Sequence, residues 1–161
     1  MKYEEKGAVF SDCGKYRFML WRVWDEFAPN VLFVCFNPAD AGVCNDDHTV
    51  TRCIAFSKKA GYGGLYIVNL FGLVSPEPAG VFSDANPIGN PDNDNYIHKA
   101  ADRCTNVIVA WGEDGSHLGR DQELIRLLKT HFPHIYCLGK TVDSQPHLPT
   151  RLPDSCEPEL F

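Results

Sequence analysis

The stretch Val31-Leu32-Phe33-Val34-Cys35-Phe36-Asn37-Pro38 decides the fold class. Its first six residues are apolar without a break, and most are β-branched or aromatic. The run is too short for a core helix and does not alternate as a half-exposed strand would. Continuous apolarity means that both faces are covered, as in a central strand of a parallel sheet. Asn37-Pro38 ends the run, because a proline cannot donate to a strand ladder. Three further runs share this character: Leu65-Tyr66-Ile67-Val68, Val107-Ile108-Val109-Ala110-Trp111 and Ile135-Tyr136-Cys137-Leu138.

Helical patterns separate the runs. Residues 47–60 place Val50, Cys53, Ile54 and Phe56 on one side, begin with acidic residues and end before Gly61, which are helix start and stop signals. Residues 94–104 align Ile97, Ala101 and Cys104, and residues 121–132 align Leu124, Leu127, Leu128 and Phe132. The alternation predicts an α/β fold: a three-layer sandwich with a central, mostly parallel sheet of four strands. Ahead of it, Ala8-Val9-Phe10, a turn at residues 11–14 and the segment 16–24 predict an N-terminal antiparallel hairpin within residues 1–25. Residues 70–91 are rich in Pro and Gly and predict a long loop with a short helical turn, such as a binding loop or lid. The tail, residues 145–161, carries Pro146, Pro149, Pro153 and Pro158 and is expected to run extended over the surface. Residues 1–161 then make one domain.

Composition excludes several classes. The chain has 161 residues, 44% of them hydrophobic and 22% charged, as in an ordinary globular protein. No apolar run approaches ~18 residues, so no membrane span is expected. The N-terminus, Met1-Lys2-Tyr3-Glu4-Glu5-Lys6, lacks the apolar core of a signal peptide. The seven cysteines are odd in number and show no C-x-x-C spacing, which favours reduced core thiols in a cytoplasmic protein over a disulfide framework or a zinc site. No metal or other cofactor is expected. The net charge of -6 suits a small-molecule site or a protein partner at least as well as a nucleic-acid backbone, which demands a basic patch.

In open α/β sheets ligands bind beyond the carboxyl ends of the strands. Those ends deliver Asn37-Pro38-Ala39-Asp40, Asn69-Leu70-Phe71-Gly72, Gly112-Glu113-Asp114-Gly115 and Gly139-Lys140-Thr141 to one edge. The planar amide of Asn37 suits reading a nucleobase edge or holding a water, with Pro38 stiffening the turn; the alternative is a turn that only ends the strand. Of Asp46, Asp47 and Thr49, an aspartate can cap the following helix or face the crevice as a base or ligand contact. Arg52 can pair with it or contact a phosphate. Asn69, Phe71, Gly112 and Gln145 are candidate ligand contacts. His147 is a candidate acid, base or electrostatic stabiliser at neutral pH.

The segments Tyr16-Arg17, Leu20-Trp21-Arg22, Asn37-Pro38, Asp46-Asp47, Arg52-Cys53, Gly61-Tyr62-Gly63-Gly64, Asn69-Leu70-Phe71, Asn93-Asp94, Trp111-Gly112, Arg120-Asp121 and Gln145-Pro146, in this order, resemble domain-of-unknown-function family 1643 of bacteria and phages. The strand ending in Asn37-Pro38 also looks like the first motif of mismatch-type uracil-DNA glycosylases. That resemblance implies N-glycosidic hydrolysis. Asn37 would hold a water or the base edge, Asp40 or Asp47 would act as base, Asn69 would contact the base, and His147 would stabilise the departing base. The chain departs from the first family's pattern at Ala39-Asp40-Ala41, where hydroxyl residues are usual, and at His147, which stands one residue early. A single-residue shift in extended chain turns a side chain to the other face.

Two readings follow. One is a nucleobase- or nucleotide-recognising protein with glycosidic hydrolase activity on a nucleotide or single-stranded nucleic acid. The other is a non-catalytic module on the same scaffold that binds a nucleotide or a protein partner, in a phage–host or defence setting. Asp40 and His147 discriminate: both facing the Asn37 crevice would favour the enzyme, both facing solvent the binder.

Overall fold

A computed structural model describes residues 2–161. The chain forms β1 (Glu5–Phe10), β2 (Arg17–Val23), β3 (Asn30–Cys35), α1 (His48–Lys59), β4 (Gly64–Asn69), α2 (Pro78–Ser83), α3 (Asp92–Ala101), β5 (Asn106–Val109), α4 (Arg120–Lys129), β6 (Tyr136–Cys137) and β7 (Glu159–Leu160). The fold is mixed α/β, with one seven-stranded sheet in the order β1-β2-β4-β3-β5-β6-β7. Strands β4, β3, β5 and β6 pair in parallel, while β1–β2, β2–β4 and β6–β7 are antiparallel. No helix among the described residues is long and apolar enough to cross a membrane. All seven cysteines are unpaired.

The unbroken apolarity of β3 has a direct cause. Val31 and Phe33 face a core that holds Val50, Cys53, Ile54 and Phe56 of α1. Leu32 and Val34 face the opposite core, with Ile97 and Ala100 of α3 and Leu124 and Leu128 of α4. Residues of alternating parity therefore meet helices on opposite faces. α1 starts where Asp47 Oδ1 accepts from the Val50 N–H at 2.9 Å, so an aspartate caps the helix.

The layout differs from the expected four strands plus a hairpin at its far edge. The tail runs over the surface and is fastened there. Residues 149–151 form a single helical turn, and β7 pairs with β6. The Phe161 N–H donates to the Ile135 carbonyl at 2.9 Å, and its ring meets Trp111 edge-on. Arg52 fastens the rest, pairing with the Asp154 carboxylate and donating to the Leu152 carbonyl at 2.6 Å. A two-residue strand carries no periodicity, which is why composition alone predicts an extended segment there.

Buried Arg22 joins the hairpin to the loop after β3. Its Nε donates to Asp46 Oδ1 at 2.8 Å, and its Nη1 to the carbonyls of Trp21 at 2.8 Å and Gly7 at 3.2 Å. Its Nη2 donates to the carbonyls of Gly42 at 2.5 Å and Asn45 at 3.3 Å. The Tyr3 hydroxyl donates to the other Asp46 oxygen at 2.5 Å, and burial, reinforced by that carboxylate, pushes the phenol up to about 12. Replacing the guanidinium strands several buried acceptors at once. Arg22→Met is expected to cost about 3 kcal/mol, read as a lower urea midpoint with unchanged far-ultraviolet circular dichroism of the folded state.

Candidate functional site

The chain leaves β3 for α1 and β4 on one side, and returns through α3 to β5 on the other. The carboxyl ends of β3 and β5 therefore flank the point where strand order reverses, the usual ligand position in open α/β sheets. A crevice of about 250 Å³ opens there. Asn37, Ala39 and Thr49 form one wall and Trp111, Gly112, Glu113 and Asp114 the other. Pro76 and Pro78, at the start of α2, and Leu148 and Pro149 of the tail complete it. The loop after β4 and the tail thus become walls of the site.

Asn37 is fixed from one end. Its Nδ2 donates to the carbonyls of Ser75 at 2.9 Å, Pro38 at 3.0 Å and Leu73 at 3.3 Å. Three acceptors around one end of the amide leave no ambiguity about which atom is nitrogen. The Oδ1 end accepts from no described residue. Gly112 has a φ of 77°, and a Cβ there would stand 2.9 Å from Leu148, so only glycine lets the tail close the crevice.

A second, smaller pocket of about 30 Å³ adjoins the first. Both are lined by Cys35, Asn37, Ala39 and Thr49; Arg17, Pro38, Asp47, Val50, Ile67 and Asn69 complete the inner one. Arg17 reaches it through a β-bulge. Val9 pairs with Met19 but the next residue, Phe10, pairs with Arg17, so Phe18 is an extra residue on β2. Simple alternation would send Arg17 to the face of Met19 and Trp21. The bulge turns it towards α1 instead, while Phe18 stacks on Tyr96 of α3. Arg17 is 3% exposed and makes one side-chain hydrogen bond, from Nη1 to the Ala41 carbonyl at 2.9 Å. Burial pulls the guanidinium down to about 10, with Asp47 acting against the shift; it remains charged at neutral pH. Arg17 and Asp47 line the same pocket but form no direct ion pair.

The other expected site residues fall into three groups. Asn37, Asp47, Thr49 and Asn69 gather at the inner pocket, with buried Pro38. Asp47 is occupied, capping α1 and accepting from the Ala41 N–H at 3.3 Å. A second group serves the scaffold. Asp46 holds Arg22, Arg52 holds the tail, and Phe71 packs edge-on against Phe36 in the core. Gln145 accepts from Trp111 Nε1 at 2.8 Å and donates to Asp121 at 3.0 Å. A third group lies outside the crevice. Asp40 is exposed on its loop, and His147 lines an adjoining groove of about 460 Å³ with Thr141, Val142 and Arg151, which shares Glu113, Asp114 and Leu148 with the crevice. Gly112 borders both spaces. No group of three or more metal-ligating side chains occurs among the described residues.

The family model for proteins of unknown function named DUF1643 matches residues 17–150. The chain belongs to the DUF1643 family. The matched segment begins at Arg17 and ends at Thr150, so it spans every wall of the crevice. No curated protein and no solved structure matches this DUF1643 chain. Arg17 is the residue that pattern reading assigns no role. The one signal in the sequence is an arginine opening the run Arg17-Phe18-Met19-Leu20, where a charge among core residues calls for a partner.

Asn37→Ala removes the amide that pins the turn at residues 73–75. At about 1 kcal/mol for each hydrogen bond, the variant is expected to lose about 2–3 kcal/mol in urea denaturation, with amide hydrogen exchange accelerated selectively at Ser75.

Proposed function

We propose that the protein binds a nucleobase or nucleoside in the crevice between β3 and β5. The observation that carries this reading is the pairing of an immobilised amide, Asn37, with walls built from Phe36, Trp111, two prolines of the α2 loop and Leu148. Apolar walls with a few fixed polar groups are what a flat heteroaromatic ligand requires. A volume of about 250 Å³ falls just below the ~300 Å³ at which drug-sized sites begin, which suits a base or nucleoside better than a dinucleotide.

The placement of Asp40, Asp47 and His147 supports binding over glycosidic hydrolysis by those residues, and the crevice's own carboxylates are Glu113 and Asp114 of the wall after β5. Asp40 and His147 stand outside the crevice, and both oxygens of Asp47 already accept backbone N–H groups. A general base needs hydrogen-bond reach to its proton; Asp40 and His147 do not line the crevice, and Asp47, which lines the inner pocket, is engaged as the cap of α1. The resemblance to mismatch-type glycosylases is therefore carried here as a likeness of binding site rather than of reaction.

A thermal-shift screen against nucleobases, nucleosides and nucleotides tests this reading. A ligand at about a hundred times its dissociation constant stabilises the native state by ~2.7 kcal/mol and should raise the midpoint by several degrees. Thr49→Met, which fills the crevice from the first turn of α1, is expected to abolish the shift while leaving the unliganded midpoint nearly unchanged. A screen with no shift, or a shift that Thr49→Met preserves, would contradict the assignment.

A further inference from the structure

Five buried side-chain atoms among the described residues lack a hydrogen-bond partner: Arg17 Nε, Trp21 Nε1, Asn30 Oδ1, Asn69 Nδ2 and Asn93 Oδ1. Two of the five, Arg17 Nε and Asn69 Nδ2, belong to residues lining the same inner pocket. Both are donors. Arg17 is 3% exposed and Asn69 1%, so bulk water does not serve either. A buried donor left unpaired is costly, so native proteins give such a group a partner from the protein, from ordered water or from a ligand.

The pocket's other features have the same sense. Thr49 and Val50 line it from the first turn of α1, and the positive end of a helix favours electron-rich groups. The guanidinium has no direct ion pair, although Asp47 is close enough to moderate its charge. The volume of about 30 Å³ is roughly twice the ~10–15 Å³ that one water needs. It admits an oxygen and the carbon that carries it, but not a whole phosphate group. The β-bulge at Phe18 is an added sign of construction, since it is what turns the arginine into the pocket.

We infer that the inner pocket is a receptor for one carbonyl-type oxygen of the ligand, donated to by Arg17 Nε and Asn69 Nδ2. The inference builds on the proposed nucleoside reading and names the feature that the site selects: an oxo group where an amino group would bring donors against donors. A ligand lying in the crevice reaches the pocket past Asn37 and Thr49, which border both spaces. The same chemistry could be supplied by the keto group of a base or by a small carboxylate.

Titration calorimetry with inosine, adenosine, uridine, cytidine and acetate separates these sources, together with nitrogen-15 spectra of the Arg17 Nε–H. Inosine is expected to bind at least tenfold tighter than adenosine, and uridine at least tenfold tighter than cytidine, because an amino group leaves both donors unpaired. The Arg17 Nε–H resonance should move on adding inosine and stay still with adenosine. Asn69→Asp, which gives Arg17 a carboxylate neighbour and so does not leave its charge bare, is expected to erase the oxo preference. Acetate moving the resonance with no nucleoside binding would uphold the oxygen pocket and overturn the nucleoside reading. Oxo and amino nucleosides binding equally, with the Arg17 resonance still, would overturn the oxygen pocket and leave the nucleoside reading standing. Binding by neither nucleosides nor acetate would overturn both.

Discussion

The parallel pairing of β3 with β4 on one side and β5 on the other is the constraint on which the rest of the molecule depends. Parallel neighbours cannot be joined by a tight turn, so each connection must cross over the sheet. One crossover carries α1 over one face and the other carries α3 over the opposite face. Both faces of β3 are thereby buried. The divergence of the two crossovers leaves a gap at the carboxyl end of β3 that neither helix fills. The loop after β4 and the tail close around that gap, and Asn37, Gly112 and Leu148 set how closely they approach.

Much of this architecture is legible in the residues themselves. The runs at 31–36, 65–68 and 107–111 are unbrokenly apolar because helices cover both faces, and a sequence states that directly. The cap at Asp47 and the hairpin ahead of β3 are equally plain. The shortest strands are not. β6 keeps only Tyr136–Cys137 of a longer apolar run, and β7 is two residues in a proline-rich tail. Such strands are made by tertiary contacts, here those of Phe161 with Ile135 and Trp111. The helices also shift at their ends: α3 begins at Asp92, where two further residues join the acidic first turn, and α4 stops at Lys129.

The site was legible in part. Strand ends point to Asn37, Asn69 and Gly112 from position alone. Arg17 escapes that logic, because its direction is set by pairing register: one extra residue on β2 exchanges the faces of Arg17 and Phe18. Register depends on the partner strand and cannot be read from local alternation. The converse case is equally instructive. Asp46 and Arg52 have the chemistry of ligand contacts, yet each is consumed by a structural partner, Arg22 and the tail respectively. Charge near a crevice identifies candidates, and only the hydrogen-bond inventory separates groups already satisfied from groups still waiting for a partner.

The inner pocket is lined by two of the five residues whose buried polar atoms lack a partner among the described residues, and it is to these two donors that we assign a chemical preference beyond shape. The most direct test of the account is a crystal structure of the protein with inosine. The account predicts the base in the crevice between Asn37 and Gly112, with its 6-oxo atom about 2.7–3.2 Å from both Arg17 Nε and Asn69 Nδ2. A base bound elsewhere on the molecule, with the inner pocket holding water alone, would contradict it.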